Sequence, residues 1–180
     1  MNKLNRGDWI HTFTGRFFPL DPRENEIDIE TIAHALSNLC RFGGHVNRFY
    51  SVAQHSVLCS RMAPDEHKLE ALLHDASEAY LVDMPSPIKA MLPDYKAMEH
   101  NIELVIAAKF NLPSPLSPVV KIIDRRMLIT EAAELLNDIN GTWWADGRAI
   151  PYDINELQIV PWSAKESYHN FISTYRELSE

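Results

Sequence analysis

Only two cysteines, Cys40 and Cys59, occur in 180 residues. That is too few for a disulfide framework, and both fall on helical-looking segments, so they read as reduced core residues. Long apolar runs are also missing: the longest, LVIAA at 104–108, is far short of the ~20 residues a membrane helix needs. The opening MNKLNRGDWI has no apolar stretch of the secretory kind. These absences predict a soluble, unprocessed cytoplasmic protein with no membrane partner. Basic residues are in deficit as well, 17 against 25 acidic for a formal charge of -8, which argues against non-specific binding along nucleic acid, where a basic face must neutralise phosphates. A small phosphorylated ligand is not excluded, since one pocket needs only a few local cations. There is no internal repeat and no low-complexity segment, and the length suits one core and one domain.

The apolar residues that are present recur mostly at helical spacing. Residues 1–25, with TFTGRFFPLDP, read as a loop or short strand pair packed on the body. A helix is expected over about 28–40, with Ile29, Ile32, Ala33, Leu36, Leu39 and Cys40 at i, i+3, i+4, i+7. RFGGHVNRFY then breaks the pattern, and Gly43-Gly44 supplies a turn that can approach a ligand closely. Further helices are expected from Ser51 to Met62, from a cap at Asp65 through a stripe of Leu69, Leu72, Leu73, Ala76 and Tyr80, and from Asp94 to about Lys109. Another runs over about 119–139, with Ile122, Ile123, Leu128, Leu135 and Leu136 as core. DMPSPIKAMLPD reads as a proline-punctuated loop with one short helical turn. Residues 140–162 are turn-rich and aromatic, and Ser163 with Glu166 forms a capping box for a last helix. The expected class is all-α.

The chemistry gathers around ALLHDASEAYLVDMPSPIK, residues 71–89. A His-Asp pair alone is weak evidence, but Glu78 follows His74 by four residues, so on a regular helix the two share a face with Asp75 beside it. Two ligands rarely suffice for a stable transition-metal site. His55, within YSVAQHSVLCS, and Asp124, directly after two isoleucines, are the further candidates, because a carboxylate so close to a core stripe wants a cation partner. Each also has a plain structural reading: His55 as a satisfied helix histidine, Asp124 paired with Arg125 or Arg126, Asp83 as a turn cap and Lys89 as a solvated cation.

With CRFGGH at 40–45, YSVAQHSV at 50–57, LLHDASEAYLVDMPSPIK at 72–89 and IIDRRML at 122–128 in this order, the chain resembles the HD-domain metal-dependent phosphohydrolases. It is most similar to the short branch holding bacterial 5′-deoxynucleotidases and phage dATP triphosphohydrolases. The resemblance implies a single HD domain over 1–180, an all-α bundle with an irregular N-terminal segment and a long loop before the last helix. It implies His55, His74, Asp75 and Asp124 as metal ligands and Glu78 as the acid-base residue that handles the attacking water. Arg41 matches a phosphate-side arginine and Phe42 an aromatic position packing on sugar or base, while Asp83 and Lys89 match a D-x-P-x-P-x-K element at the substrate pocket. There are departures: Gln54 stands where many relatives have glutamate, Phe42 where many have tryptophan, and only 18 residues separate His55 from His74.

The activity implied is hydrolysis of the 5′ phosphoester of a deoxynucleotide. It leans to a dATP-type triphosphohydrolase releasing nucleoside and tripolyphosphate, with a 5′-deoxynucleotidase acting on monophosphates, or a non-catalytic nucleotide-binding module, as alternatives. The implied cofactor is one divalent transition metal ion, Co²⁺, Mn²⁺, Zn²⁺ or Fe²⁺, with an additional Mg²⁺ possible on a triphosphate. The implied partners are the nucleotide and further copies of the chain, as a dimer or hexamer, with Trp143, Trp144 and Trp162 covering a core edge or a subunit contact.

Overall fold

A computed structural model describes residues 6–136 and 149–179. The described residues are mainly helical, as the all-α reading expects. Eight α-helical segments follow in order: α1 Ile29–Asn38, α2 Val52–Met62, α3 Lys68–Leu73, α4 Glu78–Leu81, α5 Ser86–Lys89, α6 Pro93–Phe110, α7 Pro118–Leu135 and α8 Ala164–Ser179. The N-terminal segment contributes a small antiparallel pair, β1 Ile10–His11 and β2 Arg16–Phe17, with Ile10 opposite Phe17. Phe17 is fully buried there and reaches Tyr80, with ring centroids 4.2 Å apart. Trp143 and Trp144 lie outside the described residues.

Local chemistry sets the helix starts. Asp28 accepts hydrogen bonds from the backbone of Glu30 and Thr31, and Ser51 from that of Gln54, satisfying N–H groups a helix start leaves orphaned. Ser163 and Glu166 bond reciprocally, completing the capping box before α8. Asp65 differs from expectation: it opens a 3₁₀ turn and pairs with Lys68 at 2.6 Å instead of capping a helix.

α2 is the central element. Every residue from Val52 to Ser60 is buried, so it is covered on all sides, as an almost wholly interior helix must be. One apolar cluster lies between α1, α2, α3, α6 and α8, around Ile32, Leu36, Val57, Leu72, Ile102 and Phe171. A second joins α2 to α7 and the 152–159 segment, around Tyr50, Cys59, Ile123, Met127 and Tyr152. On α7 the inward stripe is Val120, Ile123, Met127, Leu135. Ile122, expected in the core, is 61% exposed, because the inward face is one position further round the helix. Trp162 packs at the edge of the first cluster.

The expected third helix is broken. After α3 the chain passes through hydrogen-bonded turns at His74–Ser77, with i to i+3 bonds from Ala76 N to Leu73 O, Glu78 N to Asp75 O and Tyr80 N to Ser77 O. Such winding has three residues per turn, so side chains at i and i+3 eclipse. Glu78 therefore aligns with Asp75, and Ser77 with His74, replacing the expected shared face of His74 and Glu78.

Candidate metal centre

His55 is the fourth residue of α2, His74 and Asp75 come from the break after α3, and Asp124 from the second turn of α7. Tertiary packing of these three elements brings the four side chains together. Nε2 of His55 lies 3.2 Å from Nε2 of His74, 3.5 Å from Oδ2 of Asp75 and 3.2 Å from Oδ1 of Asp124. Nε2 of His74 lies 3.3 Å from the same Asp75 oxygen and 3.7 Å from the same Asp124 oxygen. Donors roughly 2.0–2.2 Å from a common centre at tetrahedral angles stand about 3.3–3.6 Å from one another, so these separations suit one shared cation.

The other ring nitrogens fix the tautomers. Nδ1 of His55 donates to Oε1 of Glu131 at 2.6 Å, and Nδ1 of His74 donates to the Ala71 carbonyl at 2.8 Å. Both Nε2 lone pairs therefore point at each other, which is unfavourable without a positive charge between them. The electrostatics agree. Burial disfavours the His74 imidazolium, yet Asp75 and Asp124 outweigh it and raise its pKa to about 9. His55 is also held well above its ordinary value, against burial and Arg41, by Cys59, Glu131 and Asp124. Asp124 is driven far below the carboxylate range: its burial is overcome by His55 and His74.

Cys59 completes a second donor group. Its Sγ, Nε2 or Nδ1 of His55 and a ring nitrogen of His74 lie within 4.8 Å of one another, and His55, Cys59 and His74 can hold a metal ion. The sulfur is 3.6 Å from Nε2 and 4.0 Å from Nδ1 of His55. Nearly equal distances put it beside the ring, off the axis of the Nε2 lone pair.

Glu131 is the residue that sequence reasoning missed. It is fully buried and accepts from Tyr50 Oη at 2.8 Å and Arg41 Nε at 3.0 Å in addition to His55. Burial opposes its charge, but Arg41 and His55 hold its pKa below the ordinary value. The signal was available: Glu131 occupies a core-stripe position of α7 seven residues after Asp124, two turns along the same face. Glu131 is the more deeply buried of the two carboxylates, fully enclosed where the partly buried Asp124 side chain is 42% exposed.

A cleft of about 420 Å³ opens over this cluster, lined by Arg41, Phe42, Asp75, Glu78, Asp83, Lys89 and Asp124, with Gly43, Arg125 and Leu128 also at its walls. All the sequence-derived candidates except the two buried histidines thus share one cavity. Arg41 pairs with Glu131 and reaches Asp75 at 3.5 Å. Lys89 pairs with Glu99 at 2.6 Å. Phe42 and Gly43 both adopt left-handed backbone, with φ of 55° and 59°, and for Phe42 this is a strained conformation of the kind found at ligand sites. Glu78 is 7% exposed, and its buried Oε2 makes no hydrogen bond among the described residues. Burial, then Asp75 and Asp83, raise its pKa well above the ordinary carboxylate value. Gln54 does structural work: its amide donates to the Val160 carbonyl and accepts from Trp162 N, both at 2.8 Å. A carboxylate could not make both bonds.

No helix among the described residues is long and apolar enough to cross a membrane. No family model matches the chain. An uncharacterized protein of Rhodobacter capsulatus, RCAP_rcc00048, is 36% identical over 124 residues, covering 63% of each chain. Uncharacterized protein YfdR of Escherichia coli K12 is 44% identical over 173 residues, 96% of each chain. An identity of that size over nearly both full lengths makes this chain a member of the YfdR family.

Proposed function

We propose that the protein is an HD-type metal-dependent phosphohydrolase that cleaves the 5′ phosphoester of deoxynucleotides. The observation that carries this reading is the convergence of His55, His74, Asp75 and Asp124 at 3.2–3.7 Å beneath a cleft into which a buried carboxylate, Glu78, brings an uncommitted oxygen. His55, His74, Asp75 and Asp124 would hold one divalent transition ion, Co²⁺, Mn²⁺, Zn²⁺ or Fe²⁺. Two imidazoles and two carboxylates form a mixed N/O set suited to such ions, and a bound ion supplies Lewis acidity and a lowered pKa for water.

The chain's own residues do the rest. Glu78 takes the proton of the attacking water; its raised affinity for protons suits a general base working nearer neutral pH. Arg41 and Lys89 offset charge on the non-bridging phosphoryl oxygens. Phe42 offers a face to sugar or base, and Asp83 a hydrogen-bond acceptor to a sugar hydroxyl. The cleft is lined by four acids, Asp75, Glu78, Asp83 and Asp124, against three bases, Arg41, Lys89 and Arg125, so an anionic substrate is drawn in only when a cation redresses that balance.

The reading leans to a dATP-type triphosphohydrolase releasing nucleoside and tripolyphosphate, the activity the resemblance puts first, with Arg41, Lys89 and Arg125 the cations at the cleft wall. The alternative is a 5′-deoxynucleotidase acting on monophosphates. It is favoured by the prior engagement of Arg41 with Glu131 and of Lys89 with Glu99, which leaves less positive charge for a polyphosphate tail. The active form is proposed to be a cytoplasmic homo-oligomer, a dimer or hexamer. Incubating metal-loaded protein with dAMP, dATP and ATP and resolving phosphate from tripolyphosphate tests the reaction, and light scattering tests the oligomer. Tripolyphosphate from dATP supports the first reading and phosphate from dAMP the second. Binding without turnover, in the presence of Mn²⁺, Co²⁺ or Zn²⁺, leaves a non-catalytic nucleotide module.

A further inference from the structure

Val82 has φ 79° and ψ 156°, a region that glycine alone enters readily and that is worst for a β-branched side chain. It immediately precedes Asp83, which lines the cleft. Val82 is 52% exposed, so hydrophobic burial offsets only part of the cost of this conformation. The backbone must therefore be held by its polar contacts. Its own N–H donates to the Glu78 carbonyl, closing α4. Its carbonyl accepts from the hydroxyl of Tyr95 at 3.0 Å, with the Leu81 carbonyl 3.4 Å from the same hydroxyl.

Tyr95 lies in the first turn of α6, and one turn later, four residues on, Glu99 pairs with Lys89 at 2.6 Å. Residues at i and i+4 share a helix face. One face of α6 therefore grips both ends of the 82–89 segment, the strained start through Tyr95 and the cationic end through Glu99. The Lys89 ammonium also lies 5.9 Å from the Tyr95 ring centroid, so the two contacts are adjacent.

We propose that Tyr95 and Glu99 are positioning residues, which hold the 82–89 segment in a strained conformation that presents Asp83 and Lys89 to the nucleotide. Neither side chain lines the cleft itself. This inference rests on the nucleotide reading of the site. The geometry makes a specific demand: the Tyr95 hydroxyl is needed because position 82 is valine, and a glycine there would need it much less.

The test uses the full-length metal-loaded protein and measures KM and kcat for dAMP and dATP in wild type, Tyr95→Phe, Val82→Gly and the double variant. Tyr95→Phe is expected to raise KM five- to twentyfold with kcat within twofold, and Val82→Gly in that background to recover most of the loss. Glu99→Gln, which keeps a hydrogen-bond acceptor but removes the charge, is expected to raise KM without changing metal content; a lowered KM, as for a lysine merely freed from a competing anion, overturns the part given to Glu99. An unchanged KM in Tyr95→Phe overturns the proposal, as does a KM defect that Val82→Gly deepens or leaves intact. If wild-type protein cleaves neither nucleotide, the functional reading falls first, and a dissociation constant for dAMP then decides on the brace: equal affinity of wild type and Tyr95→Phe overturns it.

Discussion

Nδ1 of His55 donates a 2.6 Å hydrogen bond to a fully buried glutamate, Glu131, 76 residues later in the chain. That bond turns the Nε2 lone pair of His55 toward His74, Asp75 and Asp124. Partners of this kind typically contribute 10–100-fold to metal affinity. Glu131→Gln is accordingly expected to weaken Co²⁺ or Zn²⁺ binding by about 10–100-fold, as measured by chelator competition. It also leaves Arg41 without its buried anion, which should cost about 1–3 kcal/mol in chemical denaturation.

Glu78 is expected to act on turnover and not on metal binding. Glu78→Gln should retain the ion and lose about 10²–10⁴ in kcat. Metal content is read by elemental analysis and turnover by phosphate or tripolyphosphate release; unchanged turnover would remove Glu78 from the mechanism.

The same residue gives a pH signature in metal-free protein. Burial, Asp75 and Asp83 raise its pKa above that of the unfolded chain, so the native state binds this proton more tightly than the unfolded state. Its protonated form costs nothing near or below the ordinary value of 4.5, and stability falls as pH rises from there until the folded pKa is passed. Denaturation midpoints of wild type and Glu78→Gln, compared from pH 4.5 upward, should therefore diverge, with wild type losing stability relative to the variant. Parallel curves would contradict the assignment.

Two donor sets share the two imidazoles, and cobalt distinguishes them. Because the Cys59 sulfur sits beside the His55 ring, 3.6 and 4.0 Å from its two nitrogens, the Co²⁺ protein is expected to lack a thiolate-to-cobalt charge-transfer band. Cys59→Ala should leave affinity within about twofold, whereas Asp124→Asn should weaken it by tenfold or more, about 1.4 kcal/mol. A charge-transfer band abolished by Cys59→Ala would move the sulfur into the ligand set.

Gln54 ties α2 to the segment before α8 through one donated and one accepted bond. Gln54→Glu would place a carboxylate against the Val160 carbonyl and is expected to destabilise the protein by about 1–3 kcal/mol in urea unfolding. The amide at position 54 thus has a packing role that a carboxylate could not fill.

The sequence alone determined most of the helices, because apolar spacing and the caps at Asp28, Ser51 and Ser163 are local matters that backbone hydrogen bonding decides. It also supplied the chemistry of His55, His74, Asp75 and Asp124, whose proximity only long-range packing of α2, the break after α3 and α7 created. It did not reveal the break itself. Helical periodicity aligns His74 with Glu78, but the tighter i to i+3 winding aligns Asp75 with Glu78 and turns both into the cleft. Nor did it assign Glu131, since a lone glutamate in a core stripe has no local partner. Its charge is tolerated only because Tyr50, His55 and Arg41 arrive from elsewhere in the fold. Local interactions wrote the elements, and the buried polar contacts between distant segments decided which of their side chains could meet.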